Sequence, residues 1–352
     1  MQKNILIITV CLMLSVSTSF GASKVKADSL SADAEAAVLI ECNQNKVLYA
    51  KNAHTSLPMA STTKIMTALV ALEYFEPNEL ITVSKDSVGI EGTSAYLEEG
   101  ETFTLEELLY ALLLQSANDA AAAIAIGVAG SVDNFSVLMN RKSTELGLSG
   151  TSFQNPHGLP CEGHYTTAYD LAIIASNAMK NECIKKITST KSIGITSEQG
   201  KTRYFSNHNK MLLTYKGADG VKTGFTKASG RCLVSSACQN DLRLIAVTLN
   251  CRGDWAAHTS MLDYGFSNYR SVSLSSVSET ERFIPCVSDG GVIALRAEDC
   301  FITVKAGDED KLRVTYEHPR FVYHRPKCSY IGQYTVTLDK DLVHNGKIAV
   351  IN

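Results

Sequence analysis

The sequence predicts an α+β protein, with a mixed domain of helices and strands over 28–270 followed by a small β-rich module over 271–352. Three observations carry this. Apolar residues recur at helical spacing through most of 61–179, and alternate with period two after about 185. From Ser271 onward only short strand-like runs remain, broken by Asp289-Gly290-Gly291, Gly307-Asp308-Glu309-Asp310 and Asn345-Gly346. A chain of 352 residues suits about two cores rather than one.

The elements follow in order. Asn43-Gln44-Asn45 parts two apolar runs, Ala36 to Glu41 and Lys46 to Ala50, as a hairpin. A helix starts near Ser61, carries Ile65, Leu69 and Leu72 on one face, and stops before Pro77. Thr104-Leu105-Glu106-Glu107 reads as a capping box opening a helix towards Leu114. Asp119 to Val128 is a small-residue helix that can be buried on most sides, and Val132 to Leu146 an amphipathic one closed by Gly147. Thr167-Ala168-Tyr169-Asp170 opens another, to about Met179. Arg231 to Cys238 and Leu242 to Asn250 form a hairpin about Gln239-Asn240-Asp241, and Trp255 to Phe266 returns to helix.

Ile5 to Val16, behind Lys3, is a single apolar run, short for a bilayer span and followed by small residues. It reads as a secretory leader over 1–27, cut after Gly21 or Ala27, and predicts export. Hydrophobic content of 45%, charged content of 20% and a net charge of -3 describe an ordinary globular chain. No basic excess points to nucleic acid. Setting aside Cys11 in the leader, nine cysteines remain, an odd number, and no Cys-x-x-Cys occurs. Cys232 and Cys251 on neighbouring strands could pair; buried free thiols are the other reading.

Three short motifs carry chemistry. Ser61-Thr62-Thr63-Lys64 places an amine one helical turn from a hydroxyl. The quartet alone decides nothing, since Ser23-Lys24-Val25-Lys26 matches it too. Its setting differs: Lys64 opens an apolar helix, where burial and a second cation would pull its pKa down and let it act as a base on Ser61. Ser116-Ala117-Asn118 falls at the break between two apolar helices. There Ser116 can relay a proton, and the Asn118 amide can donate to a substrate carbonyl. Lys222-Thr223-Gly224 reads as an edge strand beside a cleft. Lys222 would be the second cation, Thr223 a hydroxyl for a carboxylate, and Gly224 the point of close approach. The backbone N–H groups of Ser61 and Phe225 would form an oxyanion hole. No metal or organic cofactor is implied.

Ser-x-x-Lys, Ser-x-Asn and Lys-Thr-Gly in this order match the motif set of class A β-lactamases and penicillin-binding proteins. With "LPMASTTKIMTAL", "LLLQSANDAAAAIA", "FQNPHGL", "HYTTAYDLA" and "DGVKTGFT", the chain resembles the low-molecular-mass penicillin-binding proteins, the serine D-alanyl-D-alanine carboxypeptidases of peptidase family S11, over about Ala34 to Phe266. The resemblance implies a β-lactamase/DD-peptidase-like fold, an antiparallel sheet beside a helical subdomain with the site between them. It implies Ser61 as acylated nucleophile, Lys64 as general base, Ser116 in proton transfer, Asn118 orienting substrate and Lys222 holding its terminal carboxylate. Peptidoglycan stem peptides and β-lactam antibiotics are the implied partners. Many such proteins end in an amphipathic anchoring helix, whereas "LVHNGKIAVIN" reads as strand, leaving peripheral membrane contact open.

Three alternatives are weaker. A class A β-lactamase would carry Glu-x-x-Leu-Asn, and the nearest stretch, Glu145-Leu146-Gly147-Leu148-Ser149, lacks the asparagine. A Ser/His/Asp hydrolase would use His157 or His164 but has no Gly-x-Ser-x-Gly elbow; "NPHGL" reads instead as a turn in the cleft wall. A non-catalytic wall binder does not need Ser61, Lys64, Ser116 and Lys222 all in place.

Overall fold

The computed structural model describes Leu30 and residues 33–351. The expected leader and Cys11 lie outside the described residues. Five antiparallel strands form the main sheet: β1 (Ala34–Glu41), β2 (Lys46–Lys51), β7 (Ala218–Thr226), β8 (Gly230–Gln239) and β9 (Leu242–Cys251), in the order β2-β1-β9-β8-β7. Val38 and Val234 both stand opposite Val247, and Lys222 opposite Val234. β1 is apolar on both faces because both are covered. Ala36, Val38 and Ile40 join the core beneath the helices, while Ala37 and Leu39 pack with Met261 and Leu262 of α8 (Asp254–Asn268).

The helical side is inserted between β2 and β7. It holds α1 (Lys64–Tyr74), α2 (Leu105–Tyr110), α3 (Asn118–Ala129), α4 (Val132–Glu145), α5 (Ala168–Ala178), α6 (Glu182–Ser189) and the short α7 (Met211–Thr214). Two small hairpins accompany them, β3 (Leu80–Thr82) with β4 (Thr102–Thr104) and β5 (Ser192–Thr196) with β6 (Thr202–Ser206). The capping box at Thr104 forms, with Glu107 N–H donating to Thr104 Oγ1 at 3.2 Å and Thr104 N–H to Glu107 Oε2 at 2.9 Å.

Three local expectations are corrected. The first helix does not begin at Ser61 as α-helix: Ala60–Thr63 is a 3-10 turn, after a left-handed Ala60 at φ 47°. The helix opened at Thr104 is α only to Tyr110. It widens to a π turn, Ala111–Gln115, and stops at Ser116, itself left-handed at φ 66°. α6 runs to Ser189, past the point where alternation was expected, because its apolar residues Ile184 and Ile187 face the core.

The chain then forms β10 (Tyr269–Ser273), which starts before position 271 and pairs with β13 (Phe301–Lys305). After the four-residue α9 (Leu274–Val277) come β11 (Glu281–Pro285), β12 (Val292–Ala297), β14 (Leu312–Glu317), β15 (Tyr330–Leu338) and β16 (Asp341–Ile351). They form a second five-stranded sheet, β11-β12-β16-β15-β14, with its own apolar core. Gln44, in the β1–β2 turn, ties the two parts by donating to Val343 O at 3.0 Å and accepting from Thr303 N–H at 3.2 Å. All nine described cysteines are free thiols, so Cys232 and Cys251 are not bonded to each other. Burial pushes the Cys232 thiol up to about 11 and Cys42 to about 12.

Candidate active site

Ser61 sits half-buried in its 3-10 turn, pressed between β7 and a loop over 155–159. Both neighbours approach through glycine. A Cβ on Gly158, at φ 88°, would stand 2.0 Å from Ala60 O, so only glycine lets this loop lie against the residue preceding the serine. A Cβ on Gly224 would stand 3.1 Å from Ser61 N and 3.2 Å from Met59 O. β7 is the sheet's edge strand, as expected, and its outward side runs directly past the serine N–H.

Lys64 is fully buried. Its Nζ lies 3.0 Å from Ser61 Oγ, 2.7 Å from Asn118 Oδ1 and 2.6 Å from the carbonyl of His157. The last two are acceptors only. Asn118 is fixed in that orientation because its Nδ2 donates to Glu91 O at 2.6 Å. A neutral amine has two N–H bonds, and these two acceptors take both, so its lone pair is left facing the Ser61 hydroxyl. Burial, then the nearby Lys222 charge, holds the Lys64 pKa well below its usual value, against an opposing pull from Asp119.

Lys222 is buried beneath β7, its Nζ donating to Thr223 O at 3.0 Å, and burial brings its pKa down to about 7. Lys64 and Lys222 thus lie behind the cleft, while its surface is made by Ser61, Thr93, Ser116, Thr223, Gly224 and Phe225. Arg231 and Trp255 also line this space of ≈ 390 Å³. A wider cavity of ≈ 670 Å³, between Gln44 and Val343, contains none of the motif residues. Every residue singled out in the three motifs therefore converges here, with Asn118 bonded to Lys64 through Oδ1 and to Glu91 O through one of its two Nδ2 N–H bonds.

Several supporting residues escaped sequence reading. Asp119, next to Asn118 and read only as the first residue of the small-residue helix, accepts from Ser94 Oγ at 2.6 Å and from the N–H of Ala95 and Leu97 at 3.0 Å. It fastens the loop that carries Thr93. Arg203 closes the same loop from outside, donating to Ala95 O and Tyr96 O and pairing with buried Glu101 through Nη2 to Oε2 at 2.6 Å. The "NPHGL" turn does not line the cleft itself: it packs behind Ser61, with Gly158 against Ala60, and supplies the His157 carbonyl to Lys64. No local signal marks a main-chain acceptor.

Neither histidine is placed as a base. His164 Nδ1 accepts from Gln154 N–H at 3.0 Å, so Nε2 carries the proton and donates to Thr63 Oγ1 at 2.8 Å. Burial lowers its pKa to about 4. His157 reaches Lys64 through its carbonyl, and its ring accepts from Leu159 N–H at 3.2 Å. Glu145 closes α4 on the surface, beside Arg141 and Lys142, and does not line the cleft.

Residues 22–253 match the family model Peptidase_S11, described as D-alanyl-D-alanine carboxypeptidase. The chain belongs to the peptidase S11 family. Among its S11 relatives is the D-alanyl-D-alanine carboxypeptidase DacF of Bacillus subtilis, 38% identical over 263 residues, covering 72% of this chain and 68% of that one. DacA of Escherichia coli is 30% identical over 339 residues, covering 91% and 83%. Penicillin-binding protein 5 of Haemophilus influenzae superposes with a TM-score of 0.73 at 27% identity, covering 91% of this chain and 97% of that structure. That match spans both parts of the chain. The fold is accordingly the S11 one: a β-lactamase/DD-peptidase-like α+β unit followed by an all-β unit.

Proposed function

We propose that this S11 chain is a serine-type D-Ala-D-Ala carboxypeptidase that removes the terminal D-alanine from peptidoglycan stem pentapeptides. The single observation that carries the reading is the Lys64 amine, buried, fixed by two acceptors and turned on Ser61 Oγ. In this reading the substrate lies along β7 as an added strand. Ser61 Oγ attacks the penultimate carbonyl as Lys64 takes its proton. The backbone N–H groups of Ser61 and Phe225 receive the oxyanion, and the proton passes by way of Ser116 to the departing amine of D-alanine. Water then cleaves the ester, returning the acid product, the Ser61 hydroxyl and a neutral Lys64. Asn118 orients substrate and Lys64 together, while Thr223, with the Lys222 charge behind it, receives the terminal carboxylate. β-Lactams present a carboxylate and a strained amide to the same groups and acylate Ser61. The motif set behind an export-type apolar run supports action on the outer face of the cytoplasmic membrane.

Incubation with a D-Ala-D-Ala peptide should release D-alanine, and mass spectrometry after penicillin treatment should place the adduct on Ser61. Ser61→Ala should lose both. An adduct on that variant would remove Ser61 as nucleophile, and fast penicillin turnover by the unaltered chain would favour a β-lactamase.

A further inference from the structure

The all-β unit carries an outward apolar face that its core does not explain. Along β11 and beyond, exposure alternates: Ile284 and Cys286 are buried, whereas Phe283, Pro285 and Val287 point out. Across the ladder Pro285 stands opposite Val292. The far edge of β11 is then extended by a short parallel bridge between Cys286 and Val322, with Val322 N–H donating to Pro285 O at 3.0 Å and Val287 N–H to Val322 O at 2.9 Å. Directly paired residues share a face, so inward Cys286 and Val322 put Phe321 and Tyr323 on the same outward face as Pro285 and Val287. Phe283, Val287, Val292, Phe321 and Tyr323 are each more than half exposed. Such a contiguous patch, with two phenyl rings and a phenol, is not ordinary surface.

Its charge setting is specific. No Asp or Glu occurs between Glu317 and Asp339, while Arg320, Arg325 and Lys327 flank the two aromatics, in a chain whose net charge is -3. The nearby acids are spoken for: Asp289 pairs with Arg325 at 2.7 Å, and Glu281 with Arg296. Arg320 and Lys327 have no carboxylate in ion-pair range among the described residues.

We infer that this face docks on an anionic lipid bilayer, with Phe321 and Tyr323 entering the interface and Arg320 and Lys327 meeting the headgroups. Aromatic rings favour the boundary between headgroups and acyl chains, and cations beside them are attracted to the negative surface. A second copy of the chain fits poorly. It would bring the same cations face to face, and the β11 edge is already occupied by the 322 segment and lacks an N–H at Pro285. The inference does not depend on the catalytic reading.

Hydrogen exchange of the full chain, read in peptides covering 318–328, tests it with phosphatidylglycerol-containing and pure phosphatidylcholine vesicles. Following that segment keeps any contribution of the N-terminal apolar run out of the result. Protection is expected with the anionic vesicles and should weaken as salt is raised. Phe321→Ser with Tyr323→Ser should raise the lipid needed for half protection at least about tenfold. Arg320→Gln with Lys327→Gln should raise it roughly thirtyfold at low salt. Both variants should keep the unfolding midpoint of the parent. Absence of protection, equal protection by both vesicle types, or protection that follows protein concentration without lipid would each overturn the inference, the last in favour of self-association.

Discussion

At the scale of single residues, the site is a problem of where protons rest. Lys64 is useful only when neutral, and two causes lower its pKa: burial first, the Lys222 charge second. Acylation should therefore rise with pH as Lys64 loses its proton. Lys222→Gln removes the repulsion, so the Lys64 pKa moves up and the rising limb shifts to higher pH. A one-unit shift is roughly a tenfold loss of rate on the acid side. The pH profile of penicillin acylation measures this, and a limb that stays put or moves down would contradict the coupling. Lys222, at about 7, is only partly charged near neutrality in the empty cleft. An anionic substrate should raise it, so weakly bound carboxylates should take up protons on binding at neutral pH. The lysine itself, its serine and the asparagine were all legible in the sequence, because side-chain chemistry is written there. The His157 carbonyl was not, since every residue has one.

At the scale of elements, two glycines bring three segments to one point. Gly158→Ala would drive a methyl into Ala60 O and demand a left-handed alanine, so both stability and acylation should fall, stability by about 2 kcal/mol or more. Gly224→Ala meets a milder clash, 3.1 Å from Ser61 N and 3.2 Å from Met59 O, which a shift of a few tenths of an ångström relieves without a left-handed alanine. It should leave the unfolding midpoint nearly unchanged while slowing acylation by roughly 10²- to 10³-fold, the usual cost of a lost oxyanion donor. Urea unfolding beside acylation rates separates the two variants. Equal stability losses in both would contradict this division. Hairpins, the capping box and the edge strand were legible from period and punctuation. The 3-10 turn at Ala60 and the π turn before Ser116 were not. Each leaves regular helical geometry because of what it packs against, and neither has a local signature.

At the scale of the whole molecule, buried neutral histidines link stability to acid. His258 lies in the core between Ser235 and Thr248, hydrogen-bonded at 2.8 and 3.0 Å, and burial lowers its pKa from 6.5 to about 3. His164 follows at about 4. The unfolded chain takes up these protons near pH 6.5 and the folded chain does not. Stability is thus full above that pH and is lost as pH falls towards 4, by about 2 kcal/mol at pH 5 for His258. His258→Gln should lower stability near neutrality yet shrink the difference between neutral and acid denaturation midpoints. An unchanged slope would show that the histidine charges freely in the fold. The β unit has its own core and joins the rest through β10, β13 and the Gln44 contacts, an arrangement that pattern could divide but not dock.

The sequence by itself determined the class of chemistry, the α+β order and the strand on which a substrate would lie, because periodicity and reactive groups are local properties. Tertiary structure alone decided that Lys64 has two fixed acceptors, that Asp119 and Arg203 hold the cleft loop, and that Phe321 and Tyr323 share a face with Val287. Those facts depend on segments far apart in the chain meeting in space, where burial and packing set what each group can do.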